Sequence, residues 1–327
     1  MAEEVGAVIR HRAAVIGSPV GHSLSPVLHR AAYAGLGLDD WSYERRETAP
    51  PELPGLLAEL AAPVQGGPAW AGLSVTMPHK QTLLTHLDVI DPLAEAVGAV
   101  NTVVAQRSGA GGALLAGFNT DVAGIVGALR ETTRKQALLP QDDRLRVERA
   151  VVLGSGATAC SALAALGELR ASRITVVARR HAGPGRALSA AHRMGLDIET
   201  LTWKPTNTAS NVEAAQRLAA ADVVVSTLPA HAADPLADPL RLALDRADGA
   251  RAGAVMLDVV YAPWPTALAQ VWGYGGGALA TGWLMLLHQA VPQVQLMTGQ
   301  QPDIEDMRAA LRSALESTST TSACTDD

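Results

Sequence analysis

Residues 150–169 read AVVLGSGATACSALAALGEL, and this stretch restricts the fold more than any other. An apolar run, Ala150–Leu153, enters a glycine turn, and a helix-like segment, Ala157–Leu169, leaves it. Gly154, Gly156 and Ala159 stand in G-x-G-x-x-A spacing. Gly154 permits the tight turn, Gly156 lets a diphosphate approach the backbone, and Ala159 allows close packing of helix on strand. The helix N-terminus then faces the phosphates. A further apolar run, Ile174–Ala178, follows, so the pattern reads strand, helix, strand. Such a unit implies a parallel sheet with right-handed crossovers. The spacing points to dinucleotide binding, and a plain tight strand-to-helix turn is the alternative.

The residues beyond the second strand indicate which dinucleotide. An NAD site places an acidic residue about 20 positions on, against the ribose 2′-hydroxyl. There is no acidic residue between Glu168 and Asp197. Arg179 and Arg180 follow the strand instead, with Arg186 a little later. Guanidinium groups suit a 2′-phosphate, which favours NADP. Solvated loop charges are the alternative reading.

At 327 residues the chain is long for one core, so two domains are expected. Runs at Ala13–Gly17, Trp41–Arg45, Gly72–Met77, Ala99–Ala105 and Ala113–Phe118 read as strands before the glycine loop. Asp222–Thr227, Ala254–Val260 and Ala278–Thr281 read as strands after it. Helices are expected at Ser25–Leu36, with Ser25 as N-cap, and at Glu52–Ala61, Asp121–Ala137, Trp283–Met297 and Ile304–Leu315. Residues 138–149 read as a polar connector, and 317–327 (STSTTSACTDD) as a disordered tail. A net charge of −6 without a basic block argues against nucleic acid. No run suits a membrane span or signal peptide, and Cys160 and Cys324 form no disulfide framework, so a cytoplasmic setting is expected. No metal-ligand spacing emerges among the histidines.

The first half holds four clusters in which polar residues end or follow apolar strands: GHSLSP (Gly21–Pro26), SVTMPHK (Ser74–Lys80), GAVNTVV (Gly98–Val104) and GFNTDVAG (Gly117–Gly124). Polar groups at strand ends commonly line a cleft. Each has a plainer reading: Ser25 as a helix cap, Asn101 as a turn residue, Asp121 as a cap. Together, hydroxyls, an amide, a carboxylate and an amine suit a polyhydroxylated substrate bearing a carboxylate. Lys80 stands out because only three of the 26 basic residues are lysine.

With these motifs in order, the sequence resembles the shikimate dehydrogenase family in its actinobacterial form. The likeness is carried by VIGSPVGHSLSPVLHRAAY, GLSVTMPHK, GAVNTVV, NTDVAG, LGSGATA, VVARR, VVVSTLPA, DVVYAPWPT and GWLMLLHQA, from about Ala14 to Thr298. It implies an α/β fold of two domains. A substrate-binding domain with a mixed sheet, 1–126, would be completed by helices at 283–316, and a Rossmann NADP-binding domain would occupy 127–282. It implies reversible NADPH-dependent reduction of 3-dehydroshikimate to shikimate, on the route to aromatic amino acids, by a monomer or homodimer. The substrate would bind in a cleft between the domains.

Residue by residue, the resemblance makes Lys80 and Asp121 the catalytic pair. Ser23 and Ser25 would bind the substrate carboxylate, and Thr76, Asn101, Tyr261 and Gln289 would line the site. Gly154, Ser155, Gly156 and Ala157 would cradle the cofactor phosphates, with Arg179 and Arg180 at the 2′-phosphate. The chain departs from the family at Ala178 and Gly183, where many members carry Asn and Arg, and at Leu284, where glycine is common. Two other readings stand beside this one: a quinate/shikimate dehydrogenase using NAD or both cofactors, and a catalytically silent nucleotide-binding regulator on the same fold. Ser25 favours shikimate, since quinate-favouring relatives carry Thr there.

Overall fold

The computed structural model describes residues 8–136 and 145–322. Much of the connector expected at 138–149 lies outside them, as do residues 323–327 of the tail. The fold is α/β, and the chain separates into two compact units. The first runs to Glu95, resumes over Ala99–Thr120 and takes up the chain again from Gln289; the second holds Asp121–His288 with Ala96–Gly98.

The first unit begins with β1 (His11–Gly17), α1 (Ser25–Gly35), β2 (Trp41–Glu47), α2 (Leu53–Ala61) and β3 (Ala69–Val75). It continues with β4 (Val89–Ile90), α3 (Pro92–Val97), β5 (Thr102–Arg107) and β6 (Ala113–Phe118). The strands form one mixed sheet in the order β2-β1-β3-β5-β6-β4. β1 runs parallel to β2 and β3, while β5 is antiparallel to both β3 and β6. β1 and β3 are buried almost throughout, as a parallel strand covered on both faces should be. Leu73, Ile16, Val103, Leu53 and Leu60 meet in the core beside them.

The register matters most for the site. Gly17 lies opposite Glu47, Ile16 opposite Val75, Ser74 opposite Thr102, and Thr102 opposite Phe118. The carboxyl ends of β1, β2, β3 and β6 therefore share one edge of the sheet with the amino end of β5. All four polar clusters begin or end at that edge.

The second unit carries α4 (Asp121–Lys135), β7 (Arg149–Leu153), α5 (Ala157–Glu168), β8 (Arg173–Ala178), α6 (Ala187–Arg193) and β9 (Glu199–Thr202). Then come α7 (Thr208–Ala219), β10 (Val223–Ser226), α8 (Ala237–Arg246), β11 (Val255–Asp258), α9 (Ala267–Tyr274) and β12 (Ala278–Thr281). The six strands are all parallel, in the order β12-β11-β10-β7-β8-β9. Read from the other edge, this is the doubly wound Rossmann order, which reverses between β7 and β10. Val151, Leu153, Val224, Met256, Leu268 and the fully buried Trp272 pack in its core. The Trp272 indole NH is satisfied by the Ala278 carbonyl at 3.0 Å.

Two helices end the chain: α10 (Gly282–Thr298), which crosses from the second unit into the first, and α11 (Ile304–Ser322). α11 packs on α1. It runs past Leu315 into the Ser/Thr-rich segment, where Ser317 Oγ bonds back to the Ser313 carbonyl and keeps its hydroxyl satisfied within the helix. The units part at Thr120/Asp121, ahead of residue 126, because α4 packs against α5, β11 and β12.

Candidate active site

The Ser23–Ser25 cluster follows β1. Ser25 is not a cap: α1 starts at Ser25 itself, Leu24 holds the N-cap position, and the Ser25 amide donates to Ser23 Oγ at 3.3 Å. The Ser25 hydroxyl is instead bonded by Ser23 Oγ at 3.2 Å, and both serines are buried. The end of β2 clamps the loop that carries them. Arg45 Nε donates to the Ser23 carbonyl at 2.8 Å, and the Val20 amide donates to Glu47 Oε2 at 2.9 Å. Bonds from Ser18 and Val20 hold the Glu47 carboxyl below its ordinary pKa.

Strand β3 ends at Val75, earlier than the expected Met77, and a turn carries Thr76 to Lys80. Thr76 N donates to the Ile16 carbonyl at 2.9 Å, which ties the turn to β1. His79 is buried in it, with Nε2 2.7 Å from the Thr48 carbonyl. Lys80 is half-buried, and its carbonyl accepts from Val100 N at 2.7 Å. That bond places the lysine backbone beside the chain that leads into Asn101.

Asn101 is buried and bonds through both ends of its amide, so it is more than a turn residue. Its Oδ1 accepts from Thr120 N at 2.8 Å and from Thr102 Oγ1 at 2.9 Å. Its Nδ2 donates to Thr120 Oγ1 at 2.9 Å and to Gln289 Oε1 at 3.1 Å. Asn101, Thr120 and Gln289 thus form one buried amide–hydroxyl cluster in the first unit. Asp121 follows Thr120 directly as the first residue of α4, a helix position that favours a carboxylate. It falls in the second unit, whereas Lys80 falls in the first.

In the second unit Gly154 has φ +108°, in the left-handed region. A Cβ there would collide with Thr227 Oγ1, which donates to the Leu153 carbonyl at 2.7 Å. Gly154→Ala is therefore expected to cost about 1–3 kcal/mol of stability and to weaken NADPH binding; thermal unfolding and an NADPH titration check this. Gly156 is the N-cap of α5 and provides no side-chain cap, so the first amides of that helix have no side-chain acceptor there. The Ser155 hydroxyl accepts from Ala187 N at 3.1 Å and keeps its own proton to donate. Arg179 and Arg180 are exposed at the carboxyl end of β8, next to β7.

Tyr261 is half-buried in the loop after β11. Asp258, absent from the sequence reading, holds that loop by accepting from Val260 N at 3.1 Å and Thr266 Oγ1 at 2.8 Å. Burial pushes the Asp258 carboxyl above its ordinary pKa. Among the described residues no group of three or more His, Cys, Asp and Glu could hold a metal ion. No helix among them is long and apolar enough to cross a membrane.

A family model described as the shikimate dehydrogenase substrate binding domain matches residues 15–103. One described as the shikimate 5′-dehydrogenase C-terminal domain matches residues 282–312. The shikimate dehydrogenase (NADP(+)) of Citrifermentans bemidjiense is 36% identical over 303 residues, covering 93% of this chain and 95% of that protein. The chain belongs to the shikimate dehydrogenase family. Solved structures agree. The shikimate dehydrogenase of Mycobacterium tuberculosis superposes with a TM-score of 0.73 at 38% identity, over 93% of this chain and 99% of that one. The Thermus thermophilus enzyme, solved in complex with NADP(H) and shikimate, gives 0.68 at 32%, over 93% and 99%.

Beside the residues expected of a shikimate dehydrogenase stand several that the sequence reading missed. They are Tyr43, Ser74, Thr102 and Gln293, with His29 next to them. His29 is fully buried, its Nε2 lies 3.3 Å from Gln293 Oε1, and its ring stacks on Tyr43 at 3.9 Å. Burial pushes its pKa down from 6.5 to about 3. The unfolded chain accepts a proton below pH 6.5 that the folded state refuses. Stability from this group is complete above that pH and falls by about 1.4 kcal/mol per unit as acid is added, until the folded pKa is reached. His29→Phe keeps the stack and is expected to show a shallower loss of Tm between neutral pH and pH about 4, measured by thermal unfolding.

Proposed function

We propose that this chain catalyses the reversible NADPH-dependent reduction of 3-dehydroshikimate to shikimate, a step towards chorismate and the aromatic amino acids. The observation that carries the reading is the buried Asn101–Thr120–Gln289 cluster, next in the chain to Asp121 and joined through Val100 to the Lys80 backbone. A ring carrying several hydroxyls needs convergent amide and hydroxyl partners, and a carbonyl becoming an alcohol needs a proton source.

In this reading the first unit binds substrate and the second binds NADP. Ser23 and Ser25 take the substrate carboxylate. Thr76, Asn101, Gln289 and Tyr261 take the ring and its hydroxyls. The described residues fit NADP: the left-handed Gly154, the uncapped start of α5 and the exposed Arg179–Arg180 pair suit a diphosphate and a 2′-phosphate. When bound, NADPH supplies the hydride. Lys80 Nζ donates a proton to the carbonyl oxygen as it gains negative charge, so the ketone becomes an alcohol and the lysine is left neutral; oxidation reverses this. Asp121 accepts a hydrogen bond from a substrate hydroxyl. Arginine in place of Lys80 would stay protonated.

The setting is the cytoplasm, where the buried free Cys160 stays reduced, and the working form is a monomer or homodimer. Initial rates with shikimate and with quinate, each with NADP⁺ and NAD⁺, test the assignment. The expected order puts shikimate with NADP⁺ first by kcat/KM. A preference for quinate or NAD⁺ would replace it with the broader dehydrogenase reading.

A further inference from the structure

A buried run of polar groups lies next to Asn101, and the proposed chemistry makes no use of it. Tyr43 OH donates to Ser74 Oγ at 2.7 Å, and Ser74 Oγ donates to Gln293 Oε1 at 2.8 Å. The other end of the Gln293 amide, Nε2, donates to Thr102 Oγ1 at 2.9 Å and to the Asn101 carbonyl at 3.2 Å. Thr102 Oγ1 in turn donates to Asn101 Oδ1. Asn101 Nδ2 then donates to Gln289 Oε1.

Each hydroxyl in this run has one proton and each amide has distinct ends, so the bonds share one direction. Every member is nine-tenths or more buried, so water offers no substitute partner. The Gln293 oxygen also faces His29 Nε2, and His29 Nδ1 has no partner, which agrees with the ring proton on Nε2. A reversed Gln293 amide would set its NH₂ against that N–H. The Thr120 amide already marks Oδ1 as the oxygen end of Asn101; the run adds a second donor, Thr102 Oγ1, that favours the same end, and through Nδ2 it favours the matching orientation of Gln289. Gln293 lies one helical turn beyond Gln289 on α10, so one helix supplies both the expected contact and its support.

We propose that Gln293 and Thr102 are positioning residues: together with the Thr120 amide, their relay holds the Asn101 and Gln289 amides in the orientation that recognises the substrate hydroxyls. The proposal rests on the reading that Asn101 contacts substrate. It makes recognition of shikimate depend on two buried groups that never touch it.

Thr102 offers a clean test, because valine keeps its shape and serine keeps its hydroxyl. Thr102→Val is expected to raise the KM for shikimate, and its Kd by titration calorimetry, about tenfold. The KM for NADP⁺ and kcat should change little. Thr102→Ser should restore shikimate affinity despite the lost methyl. A residue needed only for packing gives the opposite order, with serine worse than valine, and that order would overturn the proposal. Should Thr102→Val not fold, Gln293→Met provides the same arm with the same expected rise. Asn101→Ala separates the two levels. If it weakens shikimate binding while Thr102→Val and Gln293→Met do not, the relay fails and the contact stands. If Asn101→Ala leaves shikimate binding unchanged, the contact fails and the relay with it.

Discussion

Lys80→Ala is expected to lower kcat for shikimate oxidation by about 10²–10⁴-fold, with little change in the KM for shikimate. Lys80 sits in the turn after β3, and its carbonyl is pinned by Val100 N. The side chain is half-buried, so truncating it opens no cavity in the core of the first unit. The loss should therefore appear in the chemical step. Lys80→Arg separates charge from proton transfer. Arginine retains the positive charge but stays protonated at working pH, so it should leave folding and substrate binding intact without restoring kcat. An Lys80→Ala enzyme of near-normal kcat would remove the lysine from the reaction.

The second large effect concerns the cofactor. Arg179 and Arg180 stand exposed at the end of β8, on the strand beside the glycine loop. Hydrogen bonds to charged groups contribute about 1.5–3 kcal/mol each, and a 2′-phosphate accepts several. Replacing both arginines by alanine is expected to lower kcat/KM for NADP⁺ by roughly 10²-fold or more, while the value for NAD⁺, which lacks that phosphate, stays nearly constant. Equal losses for the two cofactors would place the arginines elsewhere than at the 2′-phosphate. Both residues are solvent-exposed, so Tm should not move by more than a degree or two on the scale expected for surface changes, roughly 0.5 kcal/mol.

The glycine loop made the second unit legible because its chemistry is local. Gly154, Gly156 and Ala159 are close in sequence, and each answers to one steric demand of a strand–turn–helix. The strands β6 and β12 fall where their apolar runs place them. β4 and β9 went unseen because one has two residues and the other, Glu199–Thr202, is largely polar. Ser25 was open to two readings because a helix cap and a binding hydroxyl look alike in sequence. Only the position of the helix start, one residue earlier than a cap requires, separates them.

The support around the site was harder to read. Asn101 and Gln289 stand far apart in sequence and meet at 3.1 Å, a proximity that only the family resemblance implied. Gln293 had a visible signal, its spacing from Gln289 on one helix face. Ser74 and Thr102 fall inside two of the polar clusters, but nothing local shows which partners they take. Their roles come from the antiparallel pairing that sets Ser74 opposite Thr102. Arg45 and Glu47 are similar: alternating charges on β2 look like a solvated edge, and the register with β1 brings them to the Ser23 loop.

The central claim is hydride transfer to the ketone of 3-dehydroshikimate by this chain. The most direct measurement uses NADPH carrying deuterium at the transferable position of the nicotinamide, with the purified protein and 3-dehydroshikimate, followed by mass and NMR analysis of the product. The account predicts shikimate with one deuterium on the carbon that was the ketone, formed about 10²–10⁴-fold more slowly by Lys80→Ala. Tight binding of NADPH without any labelled shikimate would contradict it, and would leave a nucleotide-binding protein that has the fold of the family without its reaction.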